Sequence, residues 1–285
     1  MDRCKLCKKN DIAVIHKGTR DRNDIDVLKC NHCGLVFLSK IITDDTFYVD
    51  SKMYQGMDFG KWRDNTFADD NRRFSRYKDF IKDKKILDFG CGNGGFLTLV
   101  QREKLVRQEV GIDLDLQSIH QLRSEGIECY NNISELPVGM FDVVFMFHVI
   151  EHLPNPELIL DQLFERIPDH GVMIIETPNA DDALLSIYHC DQFADFTYWS
   201  PHIYLYNEST LTKMLTDAGF EIVESLQEQR YPLANHLRWL AKGLPGGGIA
   251  EFQDFNIPEI NSVYREILRR KKACDTLIFT IRRKR

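Results

Sequence analysis

One stretch of the sequence decides the fold, and it reads Ile86-Leu87-Asp88-Phe89-Gly90-Cys91-Gly92-Asn93-Gly94-Gly95. An apolar pair leads into an acidic residue and then into glycines at alternate positions, and a helical pattern follows from Phe96 to Gln101. This order is typical of a buried strand, a tight turn and the start of a helix. Glycine lacks a Cβ atom, so the turn can adopt positive φ angles and a ligand can lie against bare backbone.

The glycine spacing has more than one interpretation. Gly90, Gly92 and Gly95 match the G-x-G-x-x-G fingerprint of dinucleotide-binding folds. Asp88 and the additional Gly94 give the pattern Asp-x-Gly-x-Gly-x-Gly instead, which resembles motif I of the class I S-adenosylmethionine (SAM) methyltransferases. A strand-to-helix turn with only a structural role is a third interpretation.

A second acidic residue follows about 20 residues beyond the glycines. The segment Val110-Gly111-Ile112-Asp113 is a short apolar strand that ends in a carboxylate. An ionised carboxylate can accept hydrogen bonds from two hydroxyl groups, which suits the ribose of a nucleoside. The alternative is an acidic residue that only stabilises the N-terminus of the next helix.

Three ionisable side chains follow the most apolar segment of the chain. Phe141 to Phe147 is predicted to be a central parallel strand buried on both faces. His148, Glu151 and His152 come directly after it, at offsets that can share one face of a helical turn. Two imidazoles and a carboxylate can act as a base cluster or as ligands of a divalent metal, or they can simply satisfy backbone groups.

The order of these motifs resembles that of the class I SAM methyltransferases. The Asp88 motif, the strand ending in Asp113, H-V-I-E-H-L from 148 to 153 and E-T-P-N from 176 to 179 occur in the family's sequence. More narrowly, the chain resembles bacterial methyltransferases of sugar and surface-polysaccharide pathways that carry an N-terminal zinc ribbon. The resemblance implies a Rossmann-like α/β fold with a seven-stranded, mostly parallel sheet, and SAM as cofactor.

The resemblance also implies which residues bind SAM. Asn132 occupies the position where the family usually has an acid that meets the adenine amine, and an amide oxygen can still accept from that amine. The implied cofactor-binding residues are Asp88, Gly90, Cys91, Gly92, Gly94, Asp113, Leu114, Asn132, Ile133 and Phe147.

The segment H-V-I-E-H further resembles a metal-binding E-x-x-E-H segment of the small-RNA 2′-O-methyltransferases and the ubiquinone O-methyltransferases. His148 replaces the first acid, and His202 is the natural fourth candidate. This replacement favours a softer divalent ion over magnesium. We therefore predict either a base, His148 or His152 oriented by Glu151, or a second metal held by all four residues.

The N-terminal segment contains two C-x-x-C pairs. Cys4, Cys7, Cys30 and Cys33 have the spacing of a structural four-cysteine zinc site. A segment this short buries little apolar surface, so metal binding would stabilise it. We predict a zinc ribbon over residues 1–45 that serves as a scaffold or as a wall for the substrate.

The remaining residues, 46–285, are predicted to form the methyltransferase domain. Its first part is rich in aromatic residues, which suits either a lid over the cofactor or ordinary packing: Tyr48, Tyr54, Phe59, Trp62 and Phe67. An insertion over residues 226–274 separates the last two predicted strands, and insertions of this size are usually functional. We predict that it binds the acceptor through polar and aromatic side chains: Arg230, Tyr231, His236, Arg238 and Trp239.

Composition limits the classes of function. The net charge is −6, which argues against a general nucleic-acid binder. No apolar run approaches the length of a membrane span or the core of a signal peptide, so we expect a cytoplasmic protein. The 8 cysteines then indicate metal ligands or free thiols instead of disulfides.

The predicted function is SAM-dependent O-methylation of a small polar acceptor, such as a nucleotide-linked sugar. One alternative is an RNA-modifying methyltransferase that uses the ribbon and the basic runs at 269–272 and 282–285. Another is a nicotinamide-dependent enzyme with the same glycine turn.

Overall fold

The computed structural model describes residues 3–42, 58–246 and 250–284. The predicted domain boundary at residues 45 and 46 lies outside these ranges, as do Tyr48 and Tyr54.

Eleven strands occur in the described residues. They are β1 Ile12–His16, β2 Val27–Cys30, β3 Val36–Leu38, β4 Lys85–Phe89, β5 Gln108–Ile112, β6 Glu128–Tyr130, β7 Val143–Phe147, β8 Val172–Pro178, β9 Tyr204–Leu205, β10 Phe220–Glu228 and β11 Thr276–Arg283.

Ten α-helices accompany these strands in the same ranges, with short 3₁₀ turns at Ile133–Glu135 and Ile150–His152. They are α1 Phe59–Tyr77, α2 Gly95–Glu103, α3 Leu116–Ser124, α4 Pro156–Phe164, α5 Ala183–Ser186, α6 Asp191–Thr197, α7 Glu208–Asp217, α8 Leu233–Lys242, α9 Ala250–Gln253 and α10 Pro258–Arg270.

The large sheet has seven strands in the order β10-β11-β8-β7-β4-β5-β6. Strand β4 pairs in parallel with β5 on one side, where Asp88 is opposite Gly111, and with β7 on the other. The strand order therefore reverses at β4, and ligands of open α/β sheets bind at the carboxyl ends of strands at such a point. The predicted Rossmann-like fold with a seven-stranded, mostly parallel sheet is confirmed.

Local sequence signals explain most element boundaries. All five residues of β7 are buried, as a parallel strand covered on both faces requires. Asn207 forms a capping box with Thr210 at the start of α7. Asn155 occupies the cap position of α4, as predicted, but its side chain makes no capping hydrogen bond.

Two segments differ from the sequence-based expectation. The spacing of apolar residues predicts a helix over residues 72–81. The helix begins at Phe59 instead, because the Asp58 side chain caps it by accepting from the Lys61 N–H. The aromatic and acidic residues of the segment 181–200 predict a loop or a lid, but this segment contains α5 and α6. These two helices are short, at 4 and 7 residues, so they give little periodic signal.

The chain divides into two compact units. The first consists of Met1–Ile42, Glu151–Pro154 and Glu176–Phe279, and the second of Thr43–Ile150, Asn155–Ile175 and Thr280–Arg285. The N-terminal residues are therefore part of a larger unit that also contains most of the second half of the chain.

Within the first unit, the N-terminal strands form a second sheet in the order β1-β2-β3-β9. Strand β3 pairs antiparallel with β9, with Val36 opposite Leu205 and Phe37 opposite Tyr204. A buried apolar cluster joins the same elements, and its members are Ile25, Val27, Val36, Leu38, Tyr198 and Leu205. This shared core supplements the stability that metal binding would give to so short a segment.

The core of the second unit contains aromatic residues from the sheet and its helices. Phe96 of α2 makes an edge contact with Phe145 of β7, with ring centroids 5.0 Å apart. Phe145 also lies 5.1 Å from Phe147 and 5.2 Å from Tyr77 of α1. These contacts fix α1 and α2 against the carboxyl half of β7.

The described helices include none with the length and apolar character needed to cross a bilayer.

Replacing Gly94 tests how tightly the glycine turn is packed. Gly94 has φ +66°, and a Cβ there would lie 2.2 Å from Cδ2 of Leu122. We expect Gly94→Ala to lower the free energy of unfolding by about 2–4 kcal/mol, because strained backbone and steric overlap both contribute. Urea denaturation measures this change.

Gly139→Ala is the matched control, because Gly139 has φ +64° but a Cβ there would meet nothing within 4 Å. It should cost only the backbone strain, about 1 kcal/mol. Equal losses in the two variants would show that the overlap with Leu122 contributes nothing.

Candidate active site

The alternate glycines of the turn all adopt the left-handed conformation. Gly90, Gly92 and Gly94 have φ values of 80°, 53° and 66°. A Cβ on Gly90 would lie 2.3 Å from Cγ2 of Val149. Only glycine fits this path, so the turn presents bare backbone at the carboxyl end of β4.

Asp113 connects the end of β5 to the glycine turn. Its Oδ2 accepts a hydrogen bond from the Gly92 N–H over 2.7 Å, and its Oδ1 accepts from the Asp115 N–H over 2.9 Å. Burial raises the pKa of Asp113, although these backbone hydrogen bonds oppose the shift. Each carboxylate oxygen has a second lone pair, so the group can still accept from two hydroxyl groups of a ligand.

The sequence also allows Asp113 to be the acid that stabilises the start of the next helix, but Asp115 has that role. Asp115 is the N-cap of α3 and accepts from the N–H groups of Gln117 and Ser118. Asp113 is therefore available for a different purpose.

Asp88 is a buried carboxylate at the end of β4. Its Oδ1 has no hydrogen-bond partner among the described residues. Burial raises its pKa to about 7, against the effect of Arg73 and together with repulsion from Asp70 and Asp113. A buried acceptor that the described residues leave unsatisfied is suited to a ligand with an N–H or O–H donor.

Helix α1 holds the glycine turn in place, which the sequence analysis did not predict. Arg63 donates from Nε to the carbonyl of Asn93 over 2.8 Å and pairs with both oxygens of Glu125. The Asn93 side chain in turn donates to Thr66 over 3.0 Å. The spacing of Arg63 and Thr66 on one helical face was the available signal.

The aromatic residues predicted to lie near the cofactor are partly used in packing. Trp62 of α1 is buried, and its Cζ2 would lie 3.3 Å from a Cβ on Gly92. Phe147 is buried, with the Arg73 guanidinium 4.6 Å from its ring centroid. Trp62 therefore packs against the turn, in the packing role weighed for it above, whereas Phe147 packs within the aromatic core of the second unit.

The other predicted cofactor residues lie at the carboxyl ends of β4, β5 and β6. Cys91 is buried with its sulfur 3.7 Å from that of Cys129, and Leu114 is 44% exposed. Oδ1 of Asn132 accepts from the Ser134 N–H over 2.9 Å, and Ile133 is buried. Their contacts with a cofactor stay predictions.

A second constellation lies in the other unit. Glu151, His152 and His202 each place a ligand atom within 4.8 Å of the other two. Glu151 is buried, and its Oε2 accepts from the Thr177 hydroxyl over 2.9 Å. The histidine rings have their centroids 5.0 Å apart. Three of the four predicted residues are thus brought together.

Backbone carbonyls set the tautomer of both histidines. Nδ1 of His152 lies 2.9 Å from the Pro201 oxygen, and Nδ1 of His202 lies 3.3 Å from the Thr197 oxygen. A carbonyl oxygen only accepts, so Nδ1 carries the proton in each ring and the lone pair of the neutral imidazole is at Nε2. Metal-binding histidines are commonly oriented in this way.

His148 does not belong to this group. It has φ +55°, whereas the 3₁₀ turn covers only Ile150–His152. The expectation that His148, Glu151 and His152 share one face of a helical turn is therefore wrong, because a left-handed residue interrupts the turn. Positive φ is unusual for a residue with a side chain and occurs often at functional sites.

The four N-terminal cysteines are close together. Cys4 and Cys33 have their sulfurs 3.6 Å apart, those of Cys7 and Cys30 are 3.5 Å apart, and all four lie within 4.8 Å of one another. Tetrahedral zinc with Zn–S bonds of about 2.3 Å requires S–S distances of about 3.8 Å. The four sulfurs therefore fit a structural zinc ion.

The insertion residues predicted to bind the acceptor mostly serve internal contacts. His236 is buried and bonds to the Tyr264 hydroxyl over 2.7 Å, and burial lowers its pKa to about 4. Trp239 is also buried, and Arg230 pairs with Asp275 over 3.1 Å. The remaining two residues are placed differently, with Arg238 donating to the Pro245 carbonyl and Tyr231 47% exposed.

The fold and the glycine turn define a class of protein. A parallel sheet that reverses its order at a glycine turn, next to a strand ending in Asp113, is a nucleoside-binding Rossmann-like domain. Residues 59–225 match the family model described as "Methyltransferase domain". This match covers more than half of the chain, which therefore belongs to the methyltransferase domain family.

Three curated relatives are named as methyltransferases or a carboxymethyltransferase. A "Probable S-adenosylmethionine-dependent methyltransferase" of Mycolicibacterium smegmatis is 27% identical over 154 residues, covering 50% of this chain and 54% of the relative. A ubiquinone biosynthesis O-methyltransferase of Psychrobacter arcticus is 29% identical over 180 residues, covering 56% and 68%. A tRNA U34 carboxymethyltransferase of Alteromonas mediterranea is 27% identical over 193 residues, covering 60% and 56%.

This chain thus spans about half to two thirds of the length of these relatives. The domain that it contains is a SAM-dependent methyltransferase domain.

Solved structures share the fold. A SAM-dependent methyltransferase from Archaeoglobus fulgidus superposes with a TM-score of 0.53 at 20% identity, over 82% of this chain and 98% of the other. Coclaurine N-methyltransferase superposes with a TM-score of 0.54 at 14% identity, over 86% and 84%.

The pKa of Asp88 gives a prediction about stability. A carboxyl group has a pKa of about 3.9 in an unfolded chain, whereas Asp88 titrates at about 7 in the fold. The folded state binds its proton more tightly, so this group should reduce the free energy of unfolding as pH rises from about 4 to about 7. Asp88→Asn should lack this decrease. The difference in free energy of unfolding between Asp88→Asn and the wild type should therefore shift in favour of the variant by about 2–4 kcal/mol from pH 5 to pH 8.

Urea denaturation of both proteins without ligand at the two pH values measures the difference. Asp169→Asn removes an exposed carboxylate and should follow the wild type. If the free energy of unfolding of wild type and of Asp88→Asn changed with pH in the same way, the raised pKa of Asp88 would be contradicted.

Proposed function

We propose that the protein transfers the methyl group of SAM to a hydroxyl oxygen of a small polar acceptor, such as a nucleotide-linked sugar of surface-polysaccharide biosynthesis. The observation that carries this proposal is the cluster of Glu151, His152 and His202, in which backbone carbonyls orient both imidazoles. Hydroxyl methylation needs such a group, because the acceptor proton is weakly acidic.

Several residues of the glycine turn suit SAM. Asp113 can accept hydrogen bonds from both ribose hydroxyls, and Asp88 offers a buried acceptor to a donor of the cofactor. The left-handed glycines leave room for the nucleoside beside the backbone. Bound SAM supplies a methyl group activated by its sulfonium sulfur. Membership of the methyltransferase family supports this cofactor over a nicotinamide.

In the first version of the mechanism, a histidine removes the acceptor proton. With SAM bound, the new O–C bond would form as the S–C bond breaks, and the hydroxyl proton would move to a histidine nitrogen. His152 can take it at Nε2, because its Nδ1 already donates to Pro201. His148 stays the alternative base, with Glu151 predicted to orient the histidine that acts.

In the second version, Glu151, His152 and His202 hold a divalent metal. Two imidazole nitrogens and one carboxylate oxygen suit zinc, manganese or iron better than magnesium. Such an ion would act as a Lewis acid that lowers the pKa of a bound hydroxyl. The predicted ligand set also included His148, but only Glu151, His152 and His202 form a ligand group among the described residues, which favours these three.

The acceptor atom and the acceptor class have separate support. The relative from Psychrobacter arcticus is named as an O-methyltransferase, which supports oxygen as the acceptor atom. The sugar class rests on the resemblance of the motif order and the four-cysteine segment to sugar methyltransferases.

RNA modification is the second candidate, because one relative is named for tRNA U34. The basic run at 269–272 gives it little support. Arg269 pairs with Glu228 and Glu266, and Lys272 pairs with Glu208, so acidic neighbours offset part of that charge.

Alanine substitutions in the histidine cluster test the proposal. His152→Ala and His202→Ala should each lower kcat at least 100-fold, because proton removal or metal binding is lost. SAM affinity should change less than about threefold, since neither residue is among those proposed to bind SAM. Methyl transfer from radiolabelled SAM to a panel of nucleotide-linked sugars gives kcat, and calorimetry gives SAM affinity.

His120→Ala is the control, because His120 is exposed on α3 and should leave both values unchanged. His148→Ala separates the versions, since only a base role for His148 predicts a comparable loss. Full turnover in both cluster variants and in His148→Ala would reject the base and the metal alike.

Zinc at the four cysteines should be structural. We expect about one firmly bound zinc ion per chain, and Cys30→Ser should release it and make the N-terminal 42 residues sensitive to protease. Cys190→Ser removes a buried cysteine outside this site and should retain the metal. Zinc content by atomic absorption, together with limited proteolysis, measures both effects. Equal zinc in the two variants would exclude the four-cysteine site.

A further inference from the structure

The connection between β1 and β2 contains a tight turn, Thr19–Arg22, which we call the hairpin tip. The Thr19 N–H donates to the Arg22 carbonyl over 2.8 Å, and the Arg22 N–H donates back to the Thr19 carbonyl over 3.2 Å. This pairing places Arg20 and Asp21 at the apex of the turn.

The hairpin tip contacts the segment Tyr198–His202, which we call the histidine loop. Oδ1 of Asp21 accepts from the Ser200 N–H over 3.0 Å, and Oδ2 accepts from the Ser200 hydroxyl over 2.6 Å. Both carboxylate oxygens therefore accept hydrogen bonds from the same residue, Ser200. Burial alone would raise the pKa of Asp21, but the hydrogen bonds from Ser200 and Thr19 lower it.

Arg20 makes further contacts with the same part of the chain. Its N–H donates to the Tyr198 carbonyl over 2.7 Å. Its guanidinium lies 4.6 Å from the Trp199 ring and 5.0 Å from the Phe196 ring. These cation–π contacts hold the aromatic residues on the N-terminal side of Ser200.

Ser200 is directly followed by Pro201 and His202, which both take part in the histidine cluster. The Pro201 carbonyl receives the Nδ1 proton of His152, and His202 is itself a member of the cluster. The His202 N–H donates to the Trp199 carbonyl over 2.9 Å, so Ser200 and Pro201 lie within one short turn. A shift of Ser200 would therefore move both imidazoles.

The other end of the loop is fixed by strand pairing. The Leu38 N–H donates to the Ile203 carbonyl over 3.1 Å, and Val36 pairs with Leu205. With this end held by β3, Asp21 is a charged contact that fixes Ser200 in the middle of the loop. Charge-assisted hydrogen bonds to a carboxylate are roughly twice as strong as neutral ones.

We propose that Asp21 is a positioning residue for the active site: its carboxylate holds Ser200 so that Pro201 and His202 keep the two imidazoles at ligand distance. This inference rests on the proposed function of the histidine cluster. It gives the four-cysteine ribbon a definite task, because the ribbon presents the hairpin tip to the histidine loop. Mutation of a residue that orients metal-binding histidines typically lowers metal affinity or activity 10–100-fold.

Three variants of the full chain separate this role from general stability. Asp21→Ala removes both hydrogen bonds. Asp21→Asn keeps one acceptor and one donor, both of which Ser200 can use, so it should rescue part of the effect. Asp24→Ala is the control, because Asp24 pairs only with Arg22 and Lys40 among the contacts that the structure gives it.

The readouts are hydrogen exchange, metal affinity and SAM affinity. Exchange should speed up across residues 196–205 in Asp21→Ala and stay unchanged in Asp24→Ala. Cobalt(II) affinity of protein that holds one zinc ion at the four cysteines, with the histidine cluster left free of zinc, should fall about 10-fold in Asp21→Ala and less in Asp21→Asn. Cobalt at the cysteines would reveal itself by thiolate charge-transfer absorption. SAM affinity should stay constant throughout.

Unchanged exchange in Asp21→Ala would overturn the inference, because the contact would then not hold the loop. Faster exchange with unchanged cobalt affinity and turnover, while His202→Ala abolishes both, would overturn it as well and leave the proposed function intact. If His202→Ala also retains cobalt binding and turnover, the proposed function fails, and the positioning role falls with it.

Discussion

The backbone conformation of three glycines is the constraint on which the rest of the structure depends. Gly90, Gly92 and Gly94 all adopt left-handed φ values between β4 and α2, and two of them face side chains that leave no room for a Cβ. This path brings the Gly92 N–H to Asp113 at the end of the neighbouring strand. One hydrogen bond thereby joins β4 and β5 at the point where ligands of this fold bind. Burial of the Asp88 carboxylate works against stability, and such a local conflict is the kind expected where a fold binds a ligand.

Much of this arrangement was predictable from the sequence, because the signals are local. Alternate glycines, the fully apolar strand before His148 and the capping residue Asn207 each act within a few residues. The role of Arg63 in holding the glycine turn was not predictable in the same way, since its partner Glu125 is distant in the chain. The left-handed conformation of His148 also gave no sequence signal, because the chain context and not the residue type imposes it.

The candidate active site combines two different ways of orienting a side chain. Glu151 is buried and held by the hydroxyl of Thr177, whereas the two histidines depend on carbonyl groups of an irregular loop. Loops are usually less rigid than sheets, so a precise imidazole geometry needs support from outside the loop. The contact of Asp21 with Ser200 and the pairing of β3 with β9 supply that support. Under the proposed mechanism, the N-terminal segment would contribute to the chemistry without offering a reacting group.

The pairing of β3 with β9 also has a consequence for biosynthesis. Val36 is opposite Leu205, so 205 − 36 = 169 positions of chain separate the partners. While the ribosome makes the intervening segment, β3 has an unpaired edge and the apolar cluster around Leu38 lacks Tyr198 and Leu205. Unpaired strand edges and incomplete cores are prone to association with other chains. The nascent N-terminal segment therefore has to wait for its last strand, and early metal capture by its cysteines would keep it compact during that interval.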